Sequence, residues 1–259
     1  MSPTPIYQSL HEERAVPGGR RIVLEFHAGD AEGVPAVLLL PAAARAAPAA
    51  LLIHGYSSHK EQMADTVGEA LLQRGIASVA IDLPLHGERE ATIEPLSVGH
   101  PFELARRWHD AITECALALN YLAVRSEIDR QRLALVGYSL GSFLGVIVAA
   151  RAPLVRAVVL AAGGDLPSGT PFGKLVRSVA DPLRAVRALH GRPLLMLNGK
   201  WDRTVRPEQA ERLFAEAGEP KELRWWDAGH YLPPAAIADG AEWLAGVLSS
   251  TTREQMGEG

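Results

Sequence analysis

The chain has 259 residues but only one cysteine, so it can form neither an internal disulfide nor a metal site built from cysteines. That residue, Cys115, falls within a helical apolar pattern, which predicts a buried structural thiol. Excess basic charge is also lacking, because the net charge is −4. This balance argues against nucleic acid or an anionic membrane surface as a partner.

Motifs for cofactors and metals are missing as well. Gly163-Gly164 lacks both the third glycine and the Lys-Ser/Thr ending of a phosphate loop. Four histidines share no metal-ligand spacing: His59, His86, His100 and His109. We therefore expect neither a cofactor nor a metal.

The strongly apolar stretch 36–53 is too broken to cross a membrane. Pro41, Arg45 and Pro48 interrupt it, and neither uninterrupted piece is long enough to cross the hydrocarbon layer. Two strands joined by an Ala/Pro loop are the better interpretation. Residues 1–14 lack the apolar core of a signal peptide, so we expect cytoplasmic residence.

Short apolar runs alternate with helical patterns along the chain, which predicts an α/β fold with a mostly parallel sheet of eight strands and helices on both faces. The first two strands have no helix between them and should pair antiparallel. The predicted strands are Arg21–Phe26, Val34–Leu40, Ala50–Ile53, Ala77–Ile81, Leu133–Val136, Ala157–Leu160, Pro193–Leu197 and Glu222–Trp226. The predicted helices are Glu61–Gln73, Phe102–Val124, Leu140–Ala150, Leu175–Leu189, Pro207–Glu216 and Pro234–Leu248.

The length fits a single domain over residues 1–259, at the upper end of one-domain size. Two connections are longer than necessary, 84–101 and 163–189, and each is either a small lid over the site or a plain surface loop. The polar tail 249–259 is expected to be frayed.

A serine between two glycines marks the first site element. The segment Gly137-Tyr138-Ser139-Leu140-Gly141 follows the apolar run 133–136 and precedes a helical pattern. A sharp strand-to-helix turn of this kind, a nucleophile elbow, exposes a serine hydroxyl at the end of a strand.

The base and acid that such a serine needs follow later strands. Asp202 comes just after the apolar run 194–197, and His230 comes just after the strand ending at Trp226. In a parallel sheet the carboxyl ends of strands meet at one edge, so both side chains should lie near Ser139. A histidine can take the proton of the serine, and a carboxylate can hold the histidine tautomer.

Four motifs in this order make the chain resemble the α/β-hydrolases over essentially its whole length. They are His54-Gly55-Tyr56, Gly137–Gly141, Asp202 with Val205, and Gly229-His230. The C-terminal half resembles dienelactone hydrolase-like and carboxyl or feruloyl esterase-like members. This resemblance implies a serine esterase with a Ser139–His230–Asp202 catalytic triad, cleaving small acyl or aryl esters through an acyl-enzyme.

The oxyanion of such a reaction needs two hydrogen-bond donors. The backbone N–H of Leu140, at the start of the helix, is one candidate. The resemblance implies the backbone N–H of Tyr56 as the other, and it implies that His54 supports this loop rather than acting as base. We expect Asp82, after the fourth predicted strand, to orient the neighbouring loop around Gly87.

Some alternatives stay open at this stage. Asp165 follows the sixth predicted strand, where some family members place the acid, whereas Asp227 fits a turn. A prolyl-oligopeptidase-like peptidase or amidase and a thioesterase are rival activities, because the fold hosts them all. A non-catalytic binding protein is a more distant rival. The sequence does not set the acyl or alcohol specificity or the oligomeric state.

Overall fold

The computed structural model of the protein describes residues 6–28, 33–42, 44–89, 101–166, 177 and 180–256. Parts of the two predicted lid segments, at 90–100, 167–176 and 178–179, lie outside the described residues. The same holds for the last three residues of the predicted tail.

One mixed sheet of nine strands forms the centre of the molecule, in the order β1-β2-β3-β5-β4-β6-β7-β8-β9. The strands β4 to β9 pair parallel to one another, whereas β1, β2 and β3 pair antiparallel to their neighbours. The bounds are β1 (Ile6–Val16), β2 (Gly19–Ala28), β3 (Val34–Pro41), β4 (Ala47–Ile53), β5 (Ala77–Ile81), β6 (Ile128–Tyr138), β7 (Val155–Ala161), β8 (Leu194–Gly199) and β9 (Lys221–Trp226).

The predicted count of eight strands is wrong by one, because β1 was not predicted. This strand lies at the edge of the sheet and, among the strands that the structure describes, pairs only with β2. Every side chain from Gln8 to Ala15 is exposed, so the strand needs no apolar face. Its charged sequence therefore carries no alternation that would reveal a strand. The other eight strands, including the antiparallel pair β2–β3, lie where they were predicted.

The helices begin and end close to the predicted positions, with three exceptions. The first predicted helix is divided by a π-helical turn at Ala64–Gly68, and α7 continues beyond Leu248. The third exception is the predicted helix 175–189, where the structure describes the shorter helix Pro182–Arg187, and the Asp181 carboxylate caps this helix by accepting the Leu183 N–H. The bounds are α1 (Lys60–Met63), α2 (Glu69–Leu72), α3 (Pro101–Val124), α4 (Leu140–Arg151), α5 (Pro182–Arg187), α6 (Pro207–Glu216) and α7 (Pro234–Met256).

Helices cover both faces of the sheet, as predicted. The helices α3, α4, α5 and α6 contribute to the core on one face, and α1, α2 and α7 contribute to the core on the other. Strands in the middle of the sheet are thus buried on both sides, which explains their almost continuous apolar sequences. Within the described part of the chain, no helix has the length and apolarity that a membrane span requires.

Candidate active site

Ser139 lies at the sharp turn between β6 and α4. Its backbone has φ 52° and ψ −112°, a conformation that is strained for any residue with a side chain. The Ser139 N–H donates to the carbonyl of Ala161 at 2.9 Å, and the Ser139 carbonyl accepts from the N–H of Ser142 at 2.8 Å. The turn is therefore held by the neighbouring strand β7 and by the first turn of α4.

The two glycines of this turn are required by close backbone contacts. A Cβ on Gly137 would lie 2.2 Å from the carbonyl oxygen of Gly141, and one on Gly141 would lie 2.0 Å from that of Ile53. Ser142, which sequence reasoning missed, supports the same turn. Its Oγ lies 2.8 Å from the Gly137 oxygen and 2.7 Å from the Ala161 oxygen.

His230 and Asp202 reach Ser139 from the loops after β9 and β8. His230 Nε2 lies 2.9 Å from Ser139 Oγ, and His230 Nδ1 lies 2.8 Å from Asp202 Oδ2. Asp202 is buried, and its Oδ1 accepts the backbone N–H groups of Thr204 at 2.8 Å and Val205 at 3.0 Å. The three predicted side chains thus form one continuous chain of hydrogen bonds.

The loops that carry the acid and the histidine pack directly against each other. A Cβ on Gly199 would lie 2.1 Å from the carbonyl oxygen of Gly229, so a side chain there is excluded. The Trp201 N–H donates to the carbonyl of Ala228 at 2.9 Å. This backbone contact sets the distance between Asp202 and His230 without help from long side chains.

The competing acids have other partners. Asp165 is buried and accepts hydrogen bonds from Arg177 Nη2 at 2.6 Å and from Arg212 Nε at 3.1 Å. Asp227 accepts from the Trp201 indole N–H at 2.6 Å. Their carboxylates are engaged in the support of loops, whereas the carboxylate of Asp202 meets the imidazole.

The two candidate oxyanion donors are available for hydrogen bonding. Leu140 is the first residue of α4, so its N–H has no partner within the helix. Gly55 approaches the nucleophile so closely that a Cβ on it would lie 3.3 Å from Ser139 Cβ, which brings the Tyr56 segment to the same edge. Among the described residues, no acceptor pairs with the N–H of Tyr56 or Leu140.

His54 holds the segment of Gly55 and Tyr56 in place through two hydrogen bonds. It is fully buried, its Nε2 accepts the Leu83 N–H at 3.1 Å, and its Nδ1 therefore carries the proton, which it donates to the Gly55 carbonyl at 2.7 Å. Burial lowers the pKa of His54 from 6.5 to about 4, so the imidazole is neutral at pH 7.

Asp82 orients the following loop, as expected. Its Oδ1 accepts the Lys60 backbone N–H at 2.8 Å, and its Oδ2 accepts the Lys60 ammonium at 2.9 Å and the Glu88 N–H at 3.1 Å. Burial lowers the pKa of Lys60, but hydrogen bonds to Asp82, Glu61 and Glu88 outweigh it and hold that pKa above its usual value. The charge is thus kept, and it joins α1 to the loop after β5.

Three exposed aromatic side chains adjoin the site residues in sequence. Trp201 precedes Asp202 and is 68% exposed, Tyr231 follows His230 and is 78% exposed, and Tyr56 is 66% exposed. The Tyr56 ring makes an edge contact with His86 at 5.5 Å between centroids. Across the described residues, no group of three or more potential ligand side chains could hold a metal ion.

Comparisons with known proteins match the chain to a family and to two relatives. A family model described as the alpha/beta hydrolase family matches residues 50–247. The chain is 36% identical over 106 residues to carboxymethylenebutenolidase from Rhodococcus opacus, a match that spans 39% of this chain and 39% of that relative. It is 25% identical to YitV of Bacillus subtilis (strain 168), whose name proposes an esterase, over 77% of this chain and 89% of that protein.

A solved structure shows the same fold over nearly the whole chain. A cold-adapted esterase from an Arctic intertidal metagenomic library, in a polyethylene glycol-bound form, is 22% identical with a TM-score of 0.72. The likeness covers 92% of this chain and 98% of that one.

Proposed function

The chain belongs to the alpha/beta hydrolase family, and on that premise we propose that it is a serine esterase, which cleaves small acyl or aryl carboxylic esters through an acyl-enzyme on Ser139. The observation that carries the proposal is the chain of hydrogen bonds from Ser139 Oγ to His230 at 2.9 Å and from His230 to Asp202 at 2.8 Å. The names of the relatives, among them a carboxymethylenebutenolidase and an esterase, support ester chemistry.

In the first half-reaction Ser139 Oγ attacks the acyl carbon while His230 Nε2 takes the hydroxyl proton. Asp202 Oδ2 accepts the Nδ1–H, which keeps Nε2 free to act as base and then stabilises the imidazolium. The tetrahedral intermediate collapses, the ester C–O bond breaks, and His230 gives its proton to the leaving alcohol. Ser139 then carries the acyl group.

In the second half-reaction water replaces the alcohol. His230 takes a proton from the water, whose oxygen bonds to the acyl carbon, and the Ser139–acyl bond breaks as the proton returns to Ser139 Oγ. The carboxylic acid leaves, and the enzyme returns to its starting state.

The backbone N–H groups of Tyr56 and Leu140 hold the negative charge that develops on the acyl oxygen in both half-reactions. Neither donor has a partner among the described residues, so neither must break a hydrogen bond to act. Donors fixed in position before the reaction need no reorganisation as charge develops, and each contributes about 3–4 kcal/mol to the lowering of the barrier.

Aryl esters are favoured substrates because exposed aromatic rings adjoin the site. Tyr56 and Tyr231, each next to or within the catalytic loops, present most of their surface to solvent. Exposed rings of this kind can stack on a flat substrate group and gain about 0.5–1.5 kcal/mol beyond simple burial.

The test combines turnover with covalent labelling. The Ser139→Ala variant should lose p-nitrophenyl acetate hydrolysis by at least about a thousandfold and should keep its melting temperature. A fluorophosphonate should label the wild type at Ser139, as read by peptide mass spectrometry. The matched control is Ser126→Ala, an exposed serine near the opposite end of β6, which should leave both readouts unchanged.

Retained hydrolysis in Ser139→Ala, or an adduct at another residue, would overturn this assignment. A panel of p-nitrophenyl esters against aminoacyl anilides separates the esterase from an amidase of the same fold. We expect esters to be the far better substrates.

A further inference from the structure

Tyr138 joins the nucleophile to the loop of the histidine. It is the last residue of β6, directly before Ser139, and its hydroxyl lies 2.7 Å from the carbonyl oxygen of His230 and 2.9 Å from the backbone nitrogen of Leu232. A carbonyl only accepts and an amide N–H only donates, so the hydroxyl donates to His230 and accepts from Leu232. One side chain therefore holds the backbone on both sides of Tyr231.

We propose, on the basis of the esterase function above, that Tyr138 is a positioning residue that sets the place of the His230 imidazole relative to Ser139. The path from nucleophile to base through this residue is short. It consists of one peptide bond, one rigid ring and one hydrogen bond, although the joined residues are 91 positions apart. A change in the hydrogen bond between Tyr138 and His230 would therefore change the distance between Ser139 Oγ and His230 Nε2, which is 2.9 Å.

The other contacts of the His230 loop act on its imidazole, at its start and at its end. Asp202 fixes the rotation of the imidazole, and the close contact of Gly199 with Gly229 fixes the start of the loop. Tyr231, in contrast, is 78% exposed and contributes little packing. Leu232 packs into the core on this face of the sheet, and the hydrogen bonds of Tyr138 to Leu232 and to the His230 carbonyl tie the His230 backbone to that packed region.

An apolar cavity of about 20 Å³ next to Tyr138 adds to this dependence. Its lining includes Tyr138 and Leu232 together with residues of β6, β7, β8, α2 and α7, so it lies between the sheet and these helices, beside the end of the histidine loop. Where packing is incomplete, dispersion contacts do not define the position of a loop as tightly as in a filled core. Loss of the tyrosine hydroxyl would therefore let the loop settle differently.

The hydroxyl keeps its proton over the working range. Burial raises the pKa of Tyr138, and the Leu232 N–H opposes this only in part. The donor to the His230 carbonyl is thus present at every pH at which the imidazole can act as base.

The experiment compares Tyr138→Phe with Tyr121→Phe. Tyr121 is the matched control because its hydroxyl is also part-buried and also has two hydrogen-bond partners away from the site, Gln8 on β1 and Arg125 just after α3. For Tyr138→Phe we expect a fall in kcat of about tenfold or more with KM within about twofold, because displacement of a catalytic group by about 1 Å costs up to about a hundredfold. For Tyr121→Phe we expect a similar loss of melting temperature and an unchanged kcat.

Two further readouts separate positioning from simple support. The rate of fluorophosphonate labelling of Ser139 should fall in Tyr138→Phe in parallel with kcat, since both need the base. A crystal structure of this variant should show His230 Nε2 further from Ser139 Oγ than 2.9 Å. If kcat and the Oγ–Nε2 distance both stay at their wild-type values, the proposal is wrong and Tyr138 only stabilises the fold.

Failure of the esterase proposal is distinguishable from failure of this one. A wild type without ester turnover and without a Ser139 adduct would refute the function, and would remove the reaction that the positioning serves. A wild type that turns over esters, with a Tyr138→Phe variant equally fast, would refute only the role of Tyr138.

Discussion

At the scale of single residues, two buried aspartates at neighbouring strand ends differ in what faces them. Asp202 meets the imidazole of His230 and two backbone N–H groups, whereas Asp165 meets two arginines. From the sequence alone both are candidate acids. The assignment needs the side-chain partners, because either strand end can reach the same edge of a parallel sheet.

This difference predicts opposite effects of two isosteric changes. Asp202→Asn should lower kcat on p-nitrophenyl acetate by about a thousand- to ten-thousandfold, because the amide favours the wrong imidazole tautomer. Asp165→Asn should keep kcat within about twofold but lower the free energy of unfolding by about 1–3 kcal/mol, since it weakens the contacts to Arg177 and Arg212. Steady-state kinetics and urea unfolding of both variants check this, and the reverse ranking would transfer the role of acid to Asp165.

His54 predicts a pH dependence of stability. Its folded pKa of about 4 lies below the ordinary value of 6.5, so between these pH values the unfolded chain binds a proton that the folded protein does not. Stability therefore falls as the pH decreases from about 6.5 to about 4, by about 3 kcal/mol for this group.

The measurement is urea unfolding at pH 7 and at about pH 4.5, in the wild type and in His54→Gln. The variant should be less stable at pH 7, because the bonds to Gly55 and Leu83 are altered, but should lose less stability on acidification. An equal acid-induced loss in both proteins would show that other groups cause it.

At the scale of elements, the apolar strands were predictable because each is buried on both faces. The hydrophobic pattern carries no signal where side chains are exposed, so the edge strand β1 was missed. It also gives no distinct sign of the π-helical turn within 61–73. The support of the elbow by Ser142 and Tyr138 was also invisible. Ser142 donates to the carbonyl of Ala161 and Tyr138 to that of His230, both remote in sequence, and no motif records such contacts.

The close contact between α4 and β4 at the elbow predicts contrasting effects of two glycine substitutions. Gly141→Ala would place a Cβ 2.0 Å from the Ile53 carbonyl oxygen, so the variant should be strongly destabilised or unfolded. Gly246 is exposed on α7, a Cβ added to it would meet no atom within 4 Å, and its φ is not positive. Gly246→Ala should raise the free energy of unfolding by about 0.5–1 kcal/mol, because alanine favours the helix.

Thermal unfolding followed by circular dichroism checks both variants against the wild type. Gly246→Ala is the control for the loss of a glycine as such. A Gly141→Ala protein with wild-type melting temperature and activity would contradict the close contact between α4 and β4 on which the elbow depends.

At the scale of the whole molecule, the parallel sheet accounts for the assembly of the site. The turns after β4, β6, β8 and β9 all leave the same edge, so residues as distant as Ser139 and His230 meet there. The described helices and strands build two cores that keep these turns in place. A substitution that destabilises either core should therefore lower activity only by unfolding the protein, and not by changing the geometry of the site.

Cys115 offers a probe of that unfolding, because it is the single thiol of the chain and lies on α3 with its side chain fully buried in the core. Burial raises its pKa, so both access and thiolate formation require unfolding. We expect Ellman's reagent to react with the native protein at least about a thousandfold more slowly than with the protein in concentrated guanidinium chloride.

The dependence on urea tests whether this reaction needs global unfolding. As the urea concentration rises below the unfolding transition, the logarithm of the reaction rate should increase with the slope of global unfolding. Ser126→Cys, which adds an exposed thiol, is the control and should react at once with one equivalent of reagent. Fast reaction of wild-type Cys115 under native conditions would contradict this prediction, because it would mean that α3 unfolds locally while the rest of the core stays folded.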